Sequence, residues 1–97
     1  MISQLRTFKI QTGKMDEFVN AWLSQIYPLR LHHGFNIDGA WIDESGEEFI
    51  WIVSYDGPED FETKDKTYLS AIDRVILDPD PAQWIVGGEK RMLRAVI

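Results

Sequence analysis

The stretch QLRTFKIQTGKMDEFVNAWLSQIYPLRLHHGF, from Gln4 to Phe35, changes its hydrophobic period once. Up to Ile10 it continues an alternation begun at Ile2, with Ile2, Gln4, Arg6, Phe8 and Ile10 on one side and Ser3, Leu5, Thr7 and Lys9 on the other. A period of two is that of a β-strand, here with one mostly buried face that also carries an arginine. Thr12-Gly13 then breaks the pattern as a turn does. From Lys14 to His33 the apolar residues Met15, Phe18, Val19, Trp22, Leu23, Ile26 and Leu29 form the stripe of an amphipathic helix. Asp16, Glu17, Asn20, Ser24 and Gln25 make its wet face, and the two acids suit the N-terminal end of the helix dipole. Pro28 lacks the N–H that would bond the carbonyl of Ser24, so a kink or loosening is expected in the last turn. Gly34 is placed to end the helix in the left-handed conformation.

Downstream, Phe35 to Asp43 alternates, Glu44 to Glu47 is a turn, and Phe49 to Tyr55 is a second strand, together the strongest hairpin signal in the chain. That strand is apolar on both faces, with Phe49, Trp51, Val53 and Tyr55 on one and Ile50 and Ile52 on the other. Helices on one side of the sheet would leave half of this surface wet, so a second cover is required. Asp56-Gly57-Pro58-Glu59 reads as a helix start, with Asp or Gly as N-cap. The helix is expected to run to about Leu77 on a stripe of Phe61, Tyr68, Leu69, Ile72 and Ile76, with Asp60–Lys64 and Glu62–Lys66 pairs on its solvated face. Asp78-Pro79-Asp80-Pro81 stops it, the start of Ala82 to Gly88 is a turn or short helix, and Arg91 to Ile97 is the last strand. The order is β-α-β-β-α-β in a single domain, residues 1–97. It predicts the ferredoxin-like α+β fold, a four-stranded antiparallel sheet carrying two helices on one face.

At 97 residues there is volume for one hydrophobic core, and 44% hydrophobic residues with four Trp exclude disorder. A net charge of −6 and a pI near 4.7 repel a phosphate backbone, so nucleic acid is not an expected partner. Lys90, Arg91 and Arg94 group near the end but form no polybasic membrane anchor. With no Cys, disulfides, thiolate zinc sites and Cys nucleophiles are excluded. No apolar run suits a membrane span or signal segment, and a soluble, cytoplasmic protein is the expectation.

Several short motifs together resemble the NIPSNAP family of dimeric α+β-barrel proteins. They are Leu5-Arg6-Thr7-Phe8, Gly13-Lys14-Met15-Asp16-Glu17-Phe18, Trp22, Pro28-Leu29-Arg30, His33-Gly34-Phe35, Gly39-Ala40-Trp41, and Trp51 to Tyr55 ahead of Pro58-Glu59-Asp60. The resemblance implies that two protomers pair sheet to sheet, as a homodimer with further assembly left open, which would supply the missing cover. Related dimeric barrels include cofactor-free monooxygenases, haem-degrading enzymes and decarboxylases, so kinship of fold licenses several chemistries.

Residues suited to chemistry are few. His32 and His33 are the chain's imidazoles; they point about 100° apart on a helix, and His33 is the better placed to exchange a proton near neutral pH, with Tyr27 as the alternative proton acceptor. Arg6, on a buried face, requires a carboxylate, either an internal Asp or Glu or an anionic ligand whose developing charge it would steady. Arg30 has a sufficient role at the helix C-terminus. Trp22, Trp41, Trp51 and Tyr55 could wall a flat apolar pocket if they point one way, or could simply pack the core or the dimer seam. The His and acid spacing makes no metal set, and no phosphate loop or nucleophile elbow is present. The expected function is binding of a small apolar or aromatic molecule, as in a cofactor-independent oxygenase-like enzyme, against a non-catalytic protein whose barrel serves assembly alone.

Overall fold

Strand β1 (Ile2–Ile10) forms as its alternation predicts and takes an inner place in the sheet. The computed structural model describes residues Met1–Ile97. After β1 come α1 (Met15–Ala21), a π-helical turn (Trp22–Ile26), α2 (Tyr27–His32), β2 (Asn36–Ile42) and β3 (Glu48–Tyr55). Then follow α3 (Phe61–Ser70), α4 (Ile72–Val75), a 3-10 turn (Pro81–Trp84) and β4 (Ile85–Leu93). The four strands pair antiparallel in the order β2-β3-β1-β4, the ferredoxin-like α+β arrangement. No helix is long and apolar enough to cross a membrane.

The core lies between the helices and the sheet face bearing Arg6, Phe8 and Ile10 of β1 and Phe49, Trp51, Val53 and Tyr55 of β3. It is largely aromatic. Phe18 meets Phe49 edge-on at 5.0 Å between centroids, Trp22 meets Trp51 at 5.4 Å, and Phe35 bridges Tyr55, Phe61 and Tyr68. Edge-to-face contacts of this kind add about 0.5–1.5 kcal/mol each beyond the area buried.

Phe18, Trp22, Ile26 and Arg30 are all buried at a constant spacing of four. In a regular α-helix that spacing drifts about 40° per step, because four residues exceed the 3.6 of one turn. The π turn removes the drift: the Tyr27 N–H bonds the carbonyl of Trp22, five residues back. The loosening expected in the last turn at Pro28 therefore occurs one turn earlier. Widening the turn before Pro28 accommodates its missing N–H and its ring, and α2 then continues regularly. The Ser24 hydroxyl donates to the carbonyl of Asn20 at 2.8 Å beside the widened turn. At the far end Gly34 takes φ +90°, with Gly34 N–H bonded to Leu31 O and Phe35 N–H to Arg30 O. This double closure brings Phe35 back against Arg30, whose guanidinium lies 4.6 Å from the ring centre.

Three other segments differ from expectation. The N-cap of α3 is Asp60, whose carboxylate accepts from the Thr63 N–H at 3.2 Å, while Asp56 and Gly57 lie outside the helix. Glu59, ahead of the helix, accepts from the Tyr55 hydroxyl at 2.6 Å. The helix also ends at Ser70 rather than Leu77; Ala71 is extended, and Ile72 and Ile76 are mostly exposed instead of core. Finally, the last strand is Ile85–Leu93 and not Arg91–Ile97. Gly87 and Gly88 read as a loop but belong to the ladder, since a Cβ at Gly88 would lie 2.2 Å from the Thr7 carbonyl oxygen.

The opposite sheet face carries Leu5, Thr7, Ile50 and Ile52. Trp41 joins it, because a bulge between Ile37 and Gly39 shifts the register so that Trp41 pairs with Ile50 and Ala40 with Trp51. The Trp41 indole lies over Gly39, where a Cβ would be 2.5 Å from the ring, and remains half exposed.

Candidate functional site

A cleft of about 190 Å³ opens between the first helix and the sheet. Phe18, Trp22, Ile26 and Arg30 form one wall from successive turns of the helix, and Arg6, Phe8 and Trp51 form the floor from β1 and β3. Tyr68 and Leu69 of α3, Arg74, Pro81, Ala82, Ile85 and Lys90 complete the rim. Larger grooves lie elsewhere, including one of about 310 Å³ near Lys9 to Gly13 and one of about 600 Å³ near Glu59 to Glu62, but their linings are mainly polar.

The cleft is charged at its base. Asp65, the inward residue of α3 between Phe61 and Tyr68, receives Arg30 Nη1 at 2.7 Å and Arg6 Nη2 at 2.9 Å. All three residues are at least 94% buried. The Arg30 contact is a good hydrogen bond, whereas Arg6 Nη2 is at ion-pair distance but out of line for one. Arg6 also donates from Nε to the Gln4 side chain at 2.6 Å. Burial pushes the Asp65 carboxyl up, but the two guanidiniums outweigh it and hold the group below the usual carboxylate range. Burial lowers the pKa of Arg30, and the like charge of Arg6 lowers it further. Arg30 packs against two aromatic rings, 4.0 Å from the centre of Tyr68 and 4.6 Å from that of Phe35. Tyr68 is itself raised by burial and stays a neutral phenol; Arg74 stands near its oxygen without a well-aligned hydrogen bond.

Of the residues singled out in the sequence, Arg6, Trp22 and Trp51 line this cleft together. The others lie outside its lining. Tyr27 packs edge-on against Trp22 at 5.7 Å and is more than a third exposed. His33 stands behind Tyr68, with ring centres 5.2 Å apart, and its Nε2 meets the Asp73 carboxylate at 2.9 Å. Tyr55 shares the core face but is engaged with Glu59, and Trp41 is on the opposite side of the sheet. The condition that the hairpin Trp residues point one way is therefore not met. Missed by sequence reasoning were Asp65, Tyr68 and the inward role of Arg30. One signal existed: Asp65 falls four after Phe61 and three before Tyr68, a charge inside an apolar stripe, opposite a charge inside the apolar face of β1. No three His, Asp or Glu side chains converge as metal ligands would.

None of the curated proteins matches the chain. Among solved structures, an uncharacterized NIPSNAP domain protein from Burkholderia xenovorans superposes with a TM-score of 0.82 at 17% identity, over 99% of this chain and 95% of that one. A NIPSNAP family protein from Agrobacterium tumefaciens gives 0.82 at 19% identity, over 96% and 90%. An antibiotic biosynthesis monooxygenase gives 0.72 at 13% identity over the full length of both chains, a likeness of fold alone. The NIPSNAP family model matches residues 3–96, essentially the whole chain, and the protein belongs to the NIPSNAP family.

Proposed function

We propose that the chain is a small-molecule-binding protein of the cytoplasm, working as a homodimer, that seats an apolar or aromatic ring in the cleft between helix and sheet. The observation that carries this reading is the cleft itself. An apolar cavity of about 150 Å³ accommodates benzene, so about 190 Å³ walled by Phe8, Phe18, Trp22 and Trp51 accommodates one ring with a small substituent. The finer reading is a cofactor-independent oxygenase-like reaction, in which an ionised substrate is itself the reductant of dioxygen. The fold shared with an antibiotic biosynthesis monooxygenase supports it, as does the charge at the base of the cleft, where Arg6 would steady developing negative charge. Trp22 and Trp51 would hold the ring, and His33, backed by Asp73, is the nearest imidazole behind Tyr68.

The dimer would cover the second sheet face, where Leu5, Ile50, Ile52 and Trp41 would otherwise meet water. That same face favours the second reading, a non-catalytic protein whose barrel only mediates assembly. Thermal-shift and calorimetric screening of aromatic acids, quinones and neutral aromatic rings separates the two. A ligand at 100 times its Kd stabilises by about 2.7 kcal/mol. No shift across the panel, with a stable dimer by sedimentation, would leave assembly as the function; oxygen uptake with a bound ligand is the test of the finer reading.

A further inference from the structure

Every buried side-chain polar atom without a hydrogen-bond partner belongs to a residue lining this one cleft. The atoms are Arg6 Nη2, Arg30 Nε, the indole Nε1 of Trp22 and of Trp51, and the Tyr68 hydroxyl. Folded proteins leave few such atoms, and packing defects have no reason to gather in one cavity. Nor have they reason to share a polarity. Four of the five can only donate, and the fifth can donate as well as accept.

The charge has the same sign. Arg6 and Arg30 share a single carboxylate, that of Asp65, which leaves one positive charge unanswered in the interior. At the rim Arg74 is answered by Asp80 at 3.1 Å, and Lys90 adds a further cation. No carboxylate lines the cleft. Arg30 uses Nη1 on Asp65 and leaves its buried Nε without an acceptor.

We propose that the ligand of this cleft is a small aromatic or apolar monocarboxylate, its head group received by the unpaired donors of Arg30, Trp22, Trp51 and Tyr68 beside the Arg6 guanidinium. This rests on the reading that a ring occupies the cleft and adds to it the chemical class of the ligand. The carboxylate would neutralise the surplus arginine charge and give acceptors to donors that make no aligned hydrogen bond within the protein, while Phe8, Phe18 and Ile26 would contact the ring.

Benzoate, benzamide and toluene test it on the intact protein at matched ionic strength. Titration is followed by calorimetry and by the four indole N–H resonances, assigned with Trp→Phe variants. Benzoate is expected to bind about tenfold or more tighter than benzamide, the factor a charge-assisted hydrogen bond supplies over a neutral one. The indole resonances of Trp22 and Trp51 should move, with those of Trp41 and Trp84 unchanged. Tyr68→Phe, which keeps the packing, should weaken benzoate about three- to tenfold and leave toluene as it was. Equal affinities for benzoate and benzamide, with toluene still bound, would overturn the carboxylate and leave the ring-binding cleft standing. Benzoate that moves Trp41 or Trp84 instead overturns the assignment of site. Failure of all three compounds to move Trp22 or Trp51 overturns both readings.

Discussion

Replacing Asp65 by Asn keeps the shape of the side chain and removes its charge. Two guanidiniums, each at least 97% buried and within 2.9 Å of the carboxylate, would then face one another with no anion between them. Breaking a buried ion pair from one side costs about 3–5 kcal/mol, because the remaining charge keeps its desolvation penalty. The total stability of a domain this size is about 5–15 kcal/mol, so the loss is a large share of it. With a urea slope near 1 kcal/mol per M, the unfolding midpoint should fall by about 3 M or more, followed through the fluorescence of Trp22 and Trp51. The opposite perturbation sets the sign. Arg6→Met leaves the Arg30–Asp65 pair electrically neutral and should cost less, about 1–2 kcal/mol. Removing the acid raises the buried charge and removing one base cancels it, so the ordering Asp65→Asn above Arg6→Met is the reasoning's signature. A loss below about 1 kcal/mol for Asp65→Asn, or the reverse ordering, would refute it.

The pH dependence follows from the same group. The folded pKa of Asp65 is depressed, so its contribution is fully present above the unfolded value of about 3.9 and is lost as pH falls through the folded value. The stability gap between wild type and Asp65→Asn should therefore hold from pH 7 to about pH 4 and close below it; a gap that closes between pH 5 and 7 contradicts this. Gly88→Ala would drive a Cβ to 2.2 Å from the Thr7 carbonyl oxygen, and backbone cannot swing aside as a side chain does. A loss of about 2–3 kcal/mol and faster amide exchange along β1 and β4 are expected, and an unchanged midpoint would count against the register. Gly39→Ala meets only the half-exposed Trp41 ring, which can move, so the protomer should lose less than about 1 kcal/mol. If Trp41 sits in the seam of the dimer, sedimentation equilibrium should show dissociation rising about tenfold, and an unaltered dimer constant would exclude Trp41 from the seam.

Much of the fold was legible because local pattern and tertiary need agree there. The change from period two to a helical stripe between β1 and the first helix, the hairpin turn and the Gly34 stop each rest on chemistry within a few residues. The segments misread are those in which distant atoms decide. Gly87 and Gly88 look like loop residues until the approach of the Thr7 carbonyl is known, and the β2 bulge that turns Trp41 away leaves no local mark. The expectation that Arg6 needs an acid was sound, but the partner lies 59 positions later in the chain, on a helix whose amphipathic stripe was read past it. Asp65 was passed over because charged residues on helices are usually solvated. The gathering of unpaired donors could not be read at all, since it depends on which way five side chains from five elements point.

The widened turn at Trp22–Ile26 takes up one residue more than ordinary winding would. Leu23 and Ser24 are exposed, and exchanging them alters little beyond the solvated surface. Wound as ordinary α-helix at the same length, the chain would swing everything after the turn by about 100°, a full residue's turn. Arg30 would leave its seat against two aromatic rings, His33 would lose sight of Asp73, and the floor of the cleft would face an empty wall. Genetic drift can repaint this bend freely, and one lost codon would trade the bulge for regular helix with the chamber's wall still facing inward.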